Sequence, residues 1–153
     1  MFRYLCLFFA ILASTAHATP TERPGWAVHE TDVPYAELIT RVKDAVAAAN
    51  FGVVTEAGPT EAAKSRGVTI PGNRVIGVFN NIYAVRLLEA SESAMIEAPI
   101  RFYVTENPDG SAALSYKTPS YVLNPYYEDN VEVMVIADEL DDIFAEIAAE
   151  AVK

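Results

Sequence analysis

A ten-residue apolar run near the start of this chain, Tyr4 to Ala13, sets the terms on which everything after it must fold. Arg3 precedes the run, and Ala16-His17-Ala18 follows it with small residues where signal peptidase has narrow pockets. Ten residues fall well short of the roughly 20 that a helix needs to cross a hydrocarbon layer of about 30 Å. The pattern is that of a cleaved signal peptide spanning residues 1–18, with cleavage expected after Ala18 and delivery to a bacterial periplasm or the medium. Cys6 lies inside the apolar stretch rather than at its end, which argues against a lipoprotein anchor.

Cleavage changes what is available for folding. Of 153 residues, 135 remain, the single Cys leaves with the leader, and His29 becomes the one histidine. No disulfide can then brace the exported chain, and a zinc ribbon or a two-cysteine redox site is excluded. Stability must come from a hydrophobic core, which a domain of this size can build by burying roughly two-thirds of its unfolded surface. Acids outnumber bases 21 to 11 over the whole chain, and loss of Arg3 takes the net charge from −10 to −11. That balance argues against a nucleic-acid partner, which normally meets a basic patch. No second apolar run approaches a membrane span.

The remainder alternates between two periodicities. Residues 19–25, with two prolines, read as a tail, and residues 26–153 as one domain. Trp26 to Glu30 alternates like a strand, with Trp26 and Val28 on one side. Asp32, Val33 and Pro34 are expected to open a helix, since proline is tolerated in a first turn. Tyr35, Leu38, Val42, Ala45, Val46 and Ala49 share one helical face, with Asn50 and Gly52 marking its exit. Phe51 to Glu56 reads as a second strand, Thr60 to Lys64 as one turn of helix, and Val75 to Phe79 as a strand. Asn80 and Asn81 can cap a helix from Ile82 to Ala90 whose Ala84, Leu87 and Leu88 face the core. Ile100 to Glu106 and Ala112 to Tyr116 flank the turn Asn107-Pro108-Asp109-Gly110 as a hairpin. Pro119 to Asp129 is expected to be a tyrosine-rich loop.

Val133, Ile136, Ala137, Leu140, Ile143, Phe144, Ile147 and Ala151 fall within a narrow arc at helical spacing, which predicts one helix over about 130–152. Val131, Met134 and Val135 point away from that stripe. They need either a second copy of the chain or a covering loop. The succession strand, helix, strand, strand, helix, strand, strand, helix predicts an α+β fold. It is a two-layer sandwich of a five-stranded, largely antiparallel or mixed sheet with helices packed on one face.

Between Val75 and Pro99 the residues become more specific. Gly77-Val78-Phe79-Asn80-Asn81, then Ala84, Leu88-Glu89-Ala90 and Pro99 before a strand, resemble the domain-of-unknown-function family 302. Asn50-Phe51-Gly52-Val53-Val54-Thr55-Glu56 fits as well, and the likeness runs from Trp26 to Val152. The resemblance implies a small α+β domain, exported in some members, with a tendency to pair as dimers and no agreed activity. It also implies Cys at the positions of Phe79 and Ile100 and Pro at that of Asn81. Any thiol chemistry those positions serve in relatives is closed to this chain.

The residues able to carry chemistry are few. His29 alone builds neither a metal-binding pair nor a Ser–His dyad, and on a first strand it reads as an edge residue. Asp138, Glu139, Asp141 and Asp142 offer carboxylates, but helical geometry scatters them around a solvated face, so no metal is expected. Tyr121, Tyr126 and Tyr127 with Asn124 offer apolar faces and hydroxyls suited to ligand or partner recognition, set against plain packing of the sheet edge. Asn80 and Asn81 could present backbone N–H groups to an anion, with Arg86 and Arg101 nearby, although capping explains the asparagines as simply. These eight residues are the candidate binding set, with no catalytic residue and no cofactor among the expectations. The leading functional reading is an exported module without catalysis that binds a small molecule or a periplasmic protein, with a homodimer as its expected assembly. Its rivals are an enzyme using a buried carboxylate or tyrosine near Asn80, and a structural subunit of an exported complex.

Overall fold

Side-chain alternation along five strands decides which face of the sheet carries the core. The computed structural model describes residues 20–153; the leader, Cys6 and the expected cleavage point lie outside them. The elements run β1 (Trp26–Pro34), α1 (Tyr35–Ala48), β2 (Gly52–Ala57), α2 (Thr60–Lys64), β3 (Asn73–Phe79) and α3 (Asn81–Ala90). They continue with β4 (Ile100–Glu106), β5 (Ser111–Lys117), α4 (Pro119–Leu123) and α5 (Val131–Ala151). Short 3₁₀ turns lie at Ser93–Glu97 and Asn124–Tyr126. The strand order is β1-β5-β4-β3-β2, with every neighbouring pair antiparallel. The α+β sandwich is thus fully antiparallel.

Topology explains why α1 has the length it has. It joins β1 at one edge of the sheet to β2 at the other, so it must cross the whole width. Fourteen residues at 1.5 Å each give about 21 Å, close to the roughly 19 Å of four inter-strand spacings. The helix stops where the crossing is complete. Asn50 takes a left-handed φ of 61°, Asn50 N–H donates to Ala47 O, and Phe51 N–H donates to Val46 O. This pair of bonds is a Schellman closure, with asparagine in the position that tolerates that backbone.

Ile76, Val78, Phe102, Val104, Leu114 and Tyr116 share one face by register and are buried against Leu38, Val42 and Val46 of α1. From α5 come Val133, Ile136, Leu140, Phe144 and Ile147, all buried. Phe144 lies stacked on Phe102 at 4.7 Å between ring centroids, with Tyr116 at 5.2 Å from Phe102 and Phe51 edge-on to Phe144 at 6.4 Å. Such contacts add to area burial because ring edges and faces carry opposite partial charge.

Three local expectations are corrected. Asp32 and Val33 belong to β1, and α1 begins only at Tyr35, because Thr31 Oγ1 donates to Ala112 O at 2.7 Å and accepts from Val33 N–H, holding the chain extended through a bulge. Leu88 is 51% exposed rather than core-facing, since Tyr83 and Leu87 define the inward side of α3. Residues 119–123 form α4 instead of loop: Thr118 Oγ1 accepts from Tyr121 N–H, and Pro119 sits in the first turn. By contrast, α2 occupies Thr60–Lys64 and α5 runs from an Asn130 cap, as the spacing predicts.

Removing the Phe144 ring should therefore be costly. Phe144→Ala is expected to lower unfolding free energy by about 3–5 kcal/mol, whereas Val131→Ala on the exposed side should change it by about 0.5 kcal/mol or less. Urea unfolding followed by circular dichroism measures both.

Candidate functional site

The helices pack mainly on one side of the sheet, and only Val122 of α4 and Glu97 of the Ser93–Glu97 3₁₀ turn reach a groove on the other. Contacts link α1 to β1, β2, β4 and β5, and join α1, α3 and α4 to α5. The remaining helix, α2, pairs through Glu61 with Arg74, a residue whose register partner Val104 faces the core. On the opposite face the register sets side chains in rows. Trp26 of β1 lies opposite Lys117 of β5, and Arg101 of β4 opposite Gly77 of β3. The next row is Val28, Ser115, Tyr103 and Val75, and the next Glu30, Ala113, Thr105 and Asn73.

Small residues between large ones make a trough on this face. A groove of about 430 Å³ is lined by Trp26, Val75, Arg101, Tyr103 and Lys117, with Glu97 and Val122 at one end. That volume falls in the usual range for small-molecule sites, roughly 300–1,000 Å³. Ser115 (0% exposed) and Thr105 (4% exposed) share the face, and the hydroxyls of both are buried without a hydrogen-bond partner among the described residues. A buried hydroxyl left unpaired costs about 1–3 kcal/mol, and neither of these two residues lines the groove itself.

Charge is distributed unevenly around the groove. Arg41, Lys43, Arg74, Arg86 and Lys153 all lie within 4.0 Å of carboxylates. Among the described residues Arg23, Lys64, Arg66, Arg101 and Lys117 have no such ion pair, and of these the exposed Arg101 and Lys117 line the groove. A third cation, Arg23, holds its guanidinium 5.9 Å from the Trp26 ring centroid. Glu97 is the acid lining the groove, and one of its oxygens accepts the Tyr126 hydroxyl at 2.9 Å. That bond raises the Tyr126 phenol above its ordinary pKa.

The residues expected from sequence to bind fall in separate places. Asn80 Oδ1 accepts from Ile82 N–H (2.8 Å) and Tyr83 N–H (3.4 Å), while its Nδ2 donates to Asn50 O. Asn81 is exposed in the first turn of α3. Arg86 is held by Glu132 at 2.7 Å and Glu139 at 2.6 Å, so its charge is already matched. Tyr121, Asn124 and Tyr127 border one shallow depression beside Gly25 and Asp138. There the Tyr121 ring packs so closely on Gly25 that a Cβ would fall 2.0 Å from it. Tyr127 donates its hydroxyl to Ser120 O at 3.0 Å, and burial raises its pKa. Arg101 alone of the set reaches the groove.

The depression beside Gly25 and Asp138 is larger than the groove, about 580 Å³, but shallower, and a further one of about 380 Å³ lies beside Glu30, Asp32 and Asp109. The cavity beside Asn80 is lined mainly by Phe51, Val78, Tyr83, Leu87 and Phe144 and encloses about 40 Å³. A water needs roughly 10–15 Å³ by that measure, so a few waters fit and a substrate does not. Phe79 and Ile100, the two positions where the family resemblance implies thiols, both line this cavity. His29 sits on the edge strand β1, on the core-facing side, stacked on Tyr116 at 6.1 Å. Among the described residues no group of three or more His, Cys, Asp or Glu is placed to hold a metal ion. No helix among them is long and apolar enough to cross a membrane.

Sequence reasoning missed Trp26, Tyr103 and Lys117 as a group. Their alternation was visible, but their meeting depends on β1 pairing with β5 from the far end of the chain.

The family model for a domain of unknown function, DUF302, matches residues 27–151. A solved structure described as an uncharacterized conserved protein DUF302 from Bacillus stearothermophilus is similar, with a TM-score of 0.73 and 16% identity. The match covers 84% of this chain and 98% of that one, and at such identity it speaks for the fold. Among curated proteins none matches.

The Arg86 cluster that ties α3 to α5 has a pH signature. Hydrogen bonding from Arg86 holds the Glu139 carboxyl below its ordinary value of 4.5. A depressed carboxyl stabilises the fold above its unfolded pKa, and the benefit is lost as pH falls through the folded one. Arg86→Met should therefore be less stable than the parent at pH 7, with the difference closing as pH drops below 4.5. Urea midpoints of both proteins across that range measure it.

Proposed function

Within the DUF302 family, to which this chain belongs, we propose that it is an exported binding module without catalysis that recognises its ligand on the face of the sheet opposite α1 and α5. The groove carries this reading: about 430 Å³ beside Trp26 and Tyr103, with the exposed cations Arg101 and Lys117 in its lining. The leader and its Ala16-His17-Ala18 site support export.

A second reading concerns assembly. Val131 (72% exposed) and Val135 (43% exposed) lie open on α5, and Ile82 (70% exposed) and Val85 on the neighbouring α3. No described segment covers them. Val135 sits between Glu132 and Glu139, the two acids that grip Arg86 of α3, so the apolar residues of both helices flank one ion-paired seam. We infer that a second copy of the chain covers this surface. Exposed apolar side chains grouped on adjacent helices commonly mark such contacts.

Native mass spectrometry of the protein purified from the envelope of its own cells tests the binding reading. The expected mass is that of residues 19–153 with a small adduct released on denaturation, and Trp26→Ala is expected to lose the adduct. An uncleaved chain would remove export, and an adduct retained by both Trp26→Ala and Tyr103→Ala would move the site elsewhere. For the assembly, sedimentation velocity should give a dimer that Val135→Lys converts to monomer. A parent protein that sediments as a monomer would end that reading.

A further inference from the structure

We propose that the groove takes a small carboxylate carrying an apolar body, the carboxylate meeting Arg101 and Lys117 and the body lying against Trp26 and Tyr103. This rests on the groove being the recognition surface. Charge complementarity carries it further. In a chain of net charge −10, Arg101 and Lys117 have no carboxylate within ion-pairing distance among the described residues. They come together because β4 and β5 are neighbours: Phe102 opposes Tyr116, which brings Arg101 and Lys117 to the same end of the pair. Trp26, opposite Lys117, completes the row, with Arg23 over its ring.

The head group follows from which donors are on offer. Phosphate sites usually draw on free backbone N–H groups at a helix start or in a glycine-rich loop. Here β4 and β5 are interior strands whose backbone is paired on both sides, so recognition falls to side chains. A guanidinium presents two parallel donors that match the two oxygens of a carboxylate, and an adjacent ammonium adds charge without fixed geometry. Val75, Ile100, Tyr103 and Trp26 then line the part of the groove available to the apolar body. Glu97 at its end would repel a second negative charge and favours a monoanion.

Trp26 is the one tryptophan in the chain, so its fluorescence reports on the groove directly. Octanoate, 1-octanol and octylamine share an apolar chain, absorb little where tryptophan emits, and differ in head-group charge. Octanoate is expected to shift Trp26 emission saturably, 1-octanol to bind at least tenfold more weakly, and octylamine not to bind. Arg101→Ala and Lys117→Ala should each weaken octanoate by about tenfold, the effect of losing one charged hydrogen bond. Both residues are exposed, so their unfolding midpoints should match the parent. Equal affinity for octanoate and 1-octanol, or unchanged octanoate affinity in both variants, would overturn the carboxylate assignment and leave the groove as a binding site. No saturable response of Trp26 to any of the three compounds would overturn both.

Discussion

The stacking of Phe144 on Phe102 is the contact through which the longest helix meets the middle of the sheet. Phe102 lies on the central strand β4, and Tyr116 and Phe51 close around the same ring pair. With α5 seated there and α1 spanning from edge to edge beside it, one face of the sheet is fully used. The described residues hold no cysteine, so within them this cluster carries stability that small disulfide-bonded domains obtain from covalent cross-links. Of the remaining helices, α3 and α4 attach to α5, and α2 is tied to Arg74 of β3 through Glu61.

That one-sidedness creates the second face and dictates its character. An antiparallel sheet can leave a face to solvent only if alternate positions are polar or small. Ser111, Ala113, Ser115 and Lys117 on β5 meet that condition, as do Arg101 and Thr105 on β4. Yet Val28, Val75, Tyr103 and Trp26 are interleaved with them, and a surface kept merely soluble has no need of two aromatics in adjacent rows. Small residues beneath large ones produce concavity, and concavity is what distinguishes a recognition surface from an ordinary solvated one.

How much of this was legible in the sequence depends on how local each feature is. Val133 to Ala151 repeats over five turns, long enough for helical periodicity to outweigh the competing strand-like alternation of Val131, Val133 and Val135. Five residues at Pro119–Leu123 cannot display a period, so α4 was missed although Thr118 and Pro119 are a helix start. The extension of β1 past Glu30 depends on a side-chain bond from Thr31 to Ala112, a partner on a strand distant in the chain. For the same reason Arg101 could be singled out but not joined to Lys117 and Trp26. The tyrosines at 126 and 127 were visible as a pair, whereas the acceptors of their hydroxyls, Glu97 and Ser120, follow only from the folded path.

Electrostatics divides the molecule along the same line as packing. On the helix side, Arg86 is gripped by Glu132 and Glu139, and Asp141 accepts from Ser120 N–H at the start of α4, so charges there fasten helices together. On the sheet side, Arg101 and Lys117 fasten nothing. A cation on an exposed strand is cheap to keep hydrated, and its neighbours lose little when it is removed. Two of them share one end of a strand pair in a chain where acids outnumber bases 21 to 11, and Glu97, the acid lining the same groove, is not within ion-pairing distance of either. Among the described residues no ion pair accounts for either cation, and the anion proposed for the groove would supply that partner.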